Sequence, residues 1–237
     1  YKQALAIKPD YDDAYTNLGV TLQELGQLDN AVKIFEEAVA IKPDFAEAHF
    51  NLGVMLQELD QLDTAAKSYE QALAIKPDYA EAYNNLGITI KDLGQPDAAV
   101  KCYEQALAIK PDYAEAHNNL GNALKNLGQL GAAVKSYVES LDIKPDYADA
   151  HNNLGNALKD LGLLDAAVKS YKQAIAIKPD YAEAFNNLGN ALKDLGHWDA
   201  VVKCYEKAVA LKPDYAEAYQ NLGSVLSGLK REDEALV

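Results

Sequence analysis

Seven prolines recur at an interval of 34 residues: Pro9, Pro43, Pro77, Pro111, Pro145, Pro179 and Pro213. The residues around them recur as well, as in Lys76-Pro77-Asp78-Tyr79-Ala80-Glu81-Ala82. Self-similarity at a period of roughly 20 to 50 residues marks an array of stacked units, each packed only on its neighbours. This periodicity overrides the length, since 237 residues would otherwise read as one or two globular domains.

Numbering Ala80–Tyr113 as positions 1 to 34 exposes two helices per unit. Asp78 and Glu81 read as a capping box, repeated by Asp44/Glu47, Asp112/Glu115, Asp180/Glu183 and Asp214/Glu217. The first helix, A, carries Tyr83, Leu86, Ile90 and Leu93 at helical spacing and stops at Gly94. Asp97 is expected to cap the second helix, B, as Asp29, Asp63, Asp165, Asp199 and Asp233 do in theirs. The expected inner face of helix B is Val100, Tyr103, Ala106, Leu107 and Ile109, and Pro111 stops it. Gly87 and Ala99 recur as Gly19, Gly53, Gly121 and as Ala31, Ala65, Ala133. A glycine inside a helix costs about 1 kcal/mol relative to alanine. Close approach of Tyr103 is the compensating gain expected here.

The pattern resembles the tetratricopeptide repeat (TPR) family. The residues that carry the resemblance are an aromatic or His at position 4, Leu-Gly at 7 and 8, Gly at 15, Ala at 20, Tyr or Phe at 24, Ala at 27 and Pro at 32. It covers the whole chain as a single array, 1–237, with full repeats 12–45, 46–79, 80–113, 114–147, 148–181 and 182–215. Residues 1–11 form a partial helix B and 216–237 a partial repeat, helix A plus the start of another B. Asp60 and Lys230 depart from the position-15 glycine, Ser140 and Val201 from alanines, and Gly131 from the helix B cap. The resemblance implies an all-α, right-handed α-solenoid of antiparallel helix pairs whose A helices line a concave groove.

Composition narrows the partners. A net charge of −14 argues against nucleic acid. Residues 12–113 hold 18 acids against 7 lysines, whereas 114–215 hold 13 against 11. The acidic half could steer a basic partner, but plain solubility is the favoured reading of it. No apolar run approaches the roughly 18 residues of a membrane span, and no signal peptide is visible. The chain opens inside a repeat and reads as a piece of something longer. Cys102 and Cys204 share one repeat position three units apart, beyond the ~7 Å Cα reach of a disulfide. That fits a reducing compartment, and a cytoplasmic location is expected.

Position 6 is asparagine in all seven A helices: Asn17, Asn51, Asn85, Asn119, Asn153, Asn187 and Asn221. A carboxamide holds both donors and an acceptor, so it can bind a peptide unit without reading side chains. Helices ~10 Å apart would meet an extended chain, rising ~3.3 Å per residue, about once in three residues. The competing reading is an idle asparagine copied by duplication, and under either reading alanine there should leave stability intact or raise it. Position 9 is Val20, Val54 and Ile88, then Asn122, Asn156, Asn190 and Ser224. Position 5 is Thr16 and Phe50, then Asn84, Asn118, Asn152, Asn186 and Gln220. Position 12 is Gln23 and Gln57, then Lys91, Lys125, Lys159 and Lys193. The groove is expected to be apolar and acidic at first, with Phe50 as an anchor, and then a carpet of asparagine with a lysine row favouring acidic segments. A solvated face of mixed polarity is the alternative.

Position 2 is acidic throughout, so the basic clamp that grips a chain-terminal carboxylate in one TPR subtype is absent. The asparagine ladder instead looks like the TPR superhelix of O-linked N-acetylglucosamine transferases, which implies extended polypeptide as ligand. No nucleophile, base and acid recur together, and the periodic glycines open no phosphate loop. His49, His117 and His151 stand at the aromatic position 4 and read as fillers rather than metal ligands. The chain is therefore read as a non-enzymatic scaffold without cofactor or metal, binding protein or extended peptide rather than nucleic acid or membrane. Two alternatives stay open. One is the substrate-recruiting arm of a larger enzyme such as a glycosyltransferase. The other is a self-assembly module, through weak head-to-tail contact of Leu222, Leu226 and Leu229 with Ala4, Leu5 and Ile7 of another molecule.

Overall fold

The structure, a computed structural model, describes residues 1, 3, 7, 8 and 11–235, the last six by backbone alone. Ala4, Leu5, Pro9 and the side chains of Lys230 and Asp233, invoked above, lie outside the described residues. Among the described residues thirteen helices follow one another from Asp12 onward, and no strand occurs. They are α1 (Asp12–Glu24), α2 (Leu28–Ile41), α3 (Ala46–Glu58), α4 (Leu62–Ile75), α5 (Ala80–Asp92), α6 (Pro96–Ile109), α7 (Ala114–Asn126), α8 (Leu130–Ile143), α9 (Ala148–Asp160), α10 (Leu164–Ile177), α11 (Ala182–Asp194), α12 (Trp198–Leu211) and α13 (Ala216–Ala235). Two compact units divide the chain, Tyr1–Leu127 with α1–α7 and Gly128–Val237 with α8–α13. Within each unit every helix packs on the next.

Helix ends follow the repeat, with one correction. The N-caps of the odd-numbered helices α1 to α11 are Tyr11, Phe45, Tyr79, Tyr113, Tyr147 and Tyr181, and none makes a side-chain cap hydrogen bond. The capping-box reading of Asp78 and its equivalents is thus overturned: the aspartate sits one residue outside the cap. Asp97 likewise lies inside the first turn of α6, behind the N-cap Gln95. First-turn acids act on the helix dipole rather than on one N–H. In α8, where Gly131 removes the acid, the helix still starts at Leu130.

At the other end, Gly26, Gly94, Gly128, Gly162 and Gly196 adopt φ of +69 to +80°. Asp60 holds the same left-handed conformation, φ 58°, with a side chain that disfavours it. At Lys230 the backbone stays helical instead. The helix α13 runs on to Ala235, and the expected break into a further helix B is absent there.

The core is a series of aromatic rings laid against glycines. Phe35, Tyr69, Tyr103, Tyr137, Tyr171 and Tyr205 are fully buried. A Cβ placed on Gly87 would stand 2.6 Å from Tyr103 Cε1, and one on Gly155 2.6 Å from Tyr171 Cε1. The expected close approach is therefore real. Lysines close each pair: Lys110 caps the end of α6, stands 3.1 Å from Glu81 and lies 4.7 Å over the Tyr113 ring.

Candidate functional site

The recurring face of the odd-numbered helices is not a flat polar surface. Of the position-6 asparagines, Asn17 is exposed and Asn51, Asn85, Asn119, Asn153, Asn187 and Asn221 are half-buried. Asn119 Nδ2 donates to Asn84 Oδ1 at 3.0 Å in the first unit. Asn187 Nδ2 donates to Asn152 Oδ1, and Asn221 Nδ2 to Asn186 Oδ1, each at 3.0 Å, in the second. The partners are position-5 residues, and these are buried: Asn84 4%, Asn118 4%, Asn152 6% and Asn186 0% exposed. The position-5 asparagines are buried polar groups, not the open carpet the sequence implied, whereas Thr16 and Phe50 are half-buried and Gln220 is exposed. Periodicity within one helix cannot show this burial, because the burying surface belongs to the neighbouring pair.

This corrects a second expectation. Replacing Asn187 by alanine would strand the Asn152 carbonyl, and an unsatisfied buried acceptor costs about 1–3 kcal/mol. Stability should fall rather than hold.

Position 9 is tied to the core. Tyr171 Oη donates to Asn156 Oδ1 and Tyr205 Oη to Asn190 Oδ1, both at 2.8 Å. In α3 and α4, where position 9 is Val54, Tyr69 Oη uses Gln57 Oε1 instead, at 2.9 Å, and Thr89 Oγ1 reaches the same oxygen at 3.3 Å. Where position 9 is Val20, the facing ring is Phe35, which has no hydroxyl. Ile88 leaves Tyr103 Oη without a partner among the described residues. Burial pushes all these hydroxyls above the ordinary phenol range, Tyr205 to about 12 with Asp194 adding to it.

The remaining candidates divide by unit. Phe50 is half-buried, 4.9 Å from the Tyr79 ring and 5.8 Å from Tyr69, so packing claims much of it. Val20 is 39% exposed, and Val54 and Ile88 are half-buried. Asn122 and Lys125 are half-buried on α7. Lys91 lies 3.2 Å from Asp92, whereas Lys159 and Lys193, also half-buried, form no ion pair among the described residues. Two position-2 acids, Glu81 and Glu183, are engaged across their own pair. Burial alone would raise Glu81 and Glu183, but their own backbone N–H groups and Lys110 or Lys212 outweigh it and hold both below the usual carboxylate range.

The position-4 histidines do more than fill space. Nε2 of His49, His117 and His151 donates to the carbonyl of Pro43, Pro111 and Pro145, at 3.0–3.1 Å, tying the odd-numbered helix to the preceding loop. Their six-residue separation from a recurring proline was the available signal. No group of His, Cys, Asp and Glu among the described residues could hold a metal ion, and no helix there is long and apolar enough to cross a membrane.

Comparison with known proteins agrees with this architecture. Family models described as TPR repeat match residues 89–128, 122–162, 155–196 and 189–229, and two described as tetratricopeptide repeat match 10–78 and 68–101. No curated protein matches by sequence. Among solved structures, a chain of the APC/C hetero-tetramer Cut9–Hcn1 aligns over 95% of this chain with a TM-score of 0.82 at 17% identity, and this chain spans 44% of it. PilW, a type IV pilus biogenesis factor, aligns over 90% of this chain and 97% of its own at 26% identity, TM-score 0.79. MamA aligns over 70% and 97% at 28% identity, TM-score 0.63. The fold is an all-α helical-repeat solenoid, and 519 solved chains match it, so the fold by itself does not select one function.

Proposed function

The chain belongs to the tetratricopeptide repeat family, and on that premise we propose that it is an interaction scaffold binding extended polypeptide along the odd-numbered helices through their asparagines. The observation that carries this is the state of the position-6 amides. Asn119, Asn187 and Asn221 each commit one N–H to a neighbouring helix, which fixes the side chain. Asn119 and Asn187 keep a carbonyl oxygen and a second N–H for a ligand, the pair of groups a peptide bond complements, whereas Asn221, whose Nδ2 also lies 3.5 Å from Asn190 Oδ1, keeps its carbonyl oxygen. Pre-fixing removes much of the rotamer entropy that binding would otherwise cost.

The test starts from a random twelve-residue peptide library panned against the chain. Asn187→Ala and Asn221→Ala should each weaken a selected peptide by about 1 kcal/mol, roughly fivefold. Measurements belong well below the melting temperature, because both variants also lose a buried hydrogen bond. Selected peptides that bind both variants as tightly as the parent would refute the reading.

A further inference from the structure

In the unit Gly128–Val237 two amides of the face are oriented by the core. Tyr171 and Tyr205 place their hydroxyl hydrogens on Asn156 Oδ1 and Asn190 Oδ1 at 2.8 Å. The Asn190 oxygen also lies 3.5 Å from Asn221 Nδ2. With the carbonyl end turned to the tyrosine, each asparagine presents its NH2 group, and its two donors, away from that hydroxyl. Three residues further on the same helical face stand Lys159 and Lys193, which also donate only. Neither is neutralised by an ion pair among the described residues. The nearby position-2 acids are occupied, Glu183 by Lys212 at 3.2 Å and Glu217 by Asn186 Nδ2 at 3.1 Å. Asp160 and Asp194 follow the lysines but sit about 100° further round the helix and are exposed, so salt screens them. Helices α9 and α11 are joined through the Asn187–Asn152 bond, which places the two donor pairs side by side.

We propose that Asn156, Lys159, Asn190 and Lys193 form a strip that reads acidic side chains of an extended polypeptide, with Tyr171 and Tyr205 as positioning residues that keep the amides donor-outward. This rests on the groove reading above and names its ligand chemistry for the second unit. A carboxylate only accepts, so it satisfies every group of the strip. A carboxamide side chain offers one acceptor oxygen instead of two and brings no charge to the lysines. Steps of ~10 Å match acids spaced about three residues apart along an extended chain.

The probes are synthetic twelve-residue peptides in a Gly-Ser background, with Glu, Gln or Lys at every third residue, and a single-stranded dT12 oligonucleotide. Calorimetry on the whole chain should show the Glu peptide binding at least tenfold tighter than the Gln peptide, in a salt-sensitive manner. The double variant Lys159→Gln/Lys193→Gln should erase the preference. Tyr171→Phe/Tyr205→Phe keeps both rings and both lysines, yet should narrow the Glu-to-Gln ratio severalfold. A merely structural tyrosine would weaken both peptides equally and leave the ratio unchanged, which overturns the positioning role. If that variant fails to fold, Asn156→Asp/Asn190→Asp keeps an acceptor for each tyrosine and removes the donors. Binding of the Glu peptide should then fall at least tenfold.

A Gln peptide that binds as well as the Glu peptide, and loses affinity on Asn187→Ala, sinks this inference while the groove reading stands. If neither these peptides nor any library-selected one responds to Asn187→Ala, both fall. Tighter binding of dT12 through the same lysines would replace the acidic polypeptide by nucleic acid.

Discussion

Pair α5/α6 and pair α9/α10 place their tyrosines identically and treat the hydroxyls differently. Each ring lies where a glycine Cβ would be, 2.6 Å from it in both pairs. Tyr171 then donates to Asn156, and Tyr103, facing Ile88, donates to nothing described. One residue of the face thus decides both what a ligand meets and whether a core hydroxyl is satisfied. Two other pairs resolve the same conflict otherwise, by Phe35 under Val20 and by Gln57 standing in beside Val54. The comparison teaches that face and core are coupled through position 9, so a change of ligand preference there alters stability as well.

The largest expected effect leaves the two pairs alike. Tyr103→Ala and Tyr171→Ala each remove a fully buried ring and should cost about 3–5 kcal/mol in denaturant unfolding. A cost at Tyr103 far below that at Tyr171 would mean that the hydroxyl, not the ring, dominates.

Alkaline pH is the next probe. Burial raises the tyrosines in the folded state, Tyr205 to about 12 and Tyr103 and Tyr171 also upward, above the ordinary value of 10.0. The unfolded chain therefore loses its phenolic protons first. Stability is full below pH 10 and should fall as pH rises from 10 toward 12. A melting temperature flat across that window contradicts the burial.

Removing only the hydroxyl separates the pairs. Tyr171→Phe should cost about 1 kcal/mol or more, since it also strands Asn156. Tyr103→Phe should be neutral or stabilising, because the hydroxyl it deletes is buried without a partner. Equal losses at both sites would break the comparison. The smallest effect is at Asp60, whose φ of 58° sets it among glycines. Asp60→Gly should raise stability by about 0.5 kcal/mol, read as a small shift in urea midpoint.

Much of this was legible in the chain itself. Pro111 and Gly94 mark the ends of α6 and α5 because a missing N–H and a positive φ are local demands. Gly87 predicts Tyr103 because both recur in step. The capping reading failed locally too: Asp78 and Asp97 satisfy a pattern, but the cap positions fell to Tyr79 and Gln95. What stayed hidden was relational. The burial of Asn186 depends on α13, and the orientation of Asn156 depends on a hydroxyl fifteen residues away. Helical periodicity assigns a residue to a face, not to the neighbour that covers it.

The most direct measurement follows the side-chain amide signals of the chain by ¹⁵N NMR while a library-selected peptide is added. The account predicts the largest shifts at Asn187 and Asn221, with Asn156 and Asn190 moving alongside and the buried Asn152 and Asn186 moving less. Shifts confined to the even-numbered helices, at Lys172 or Lys203, with the asparagine amides unmoved, would contradict it.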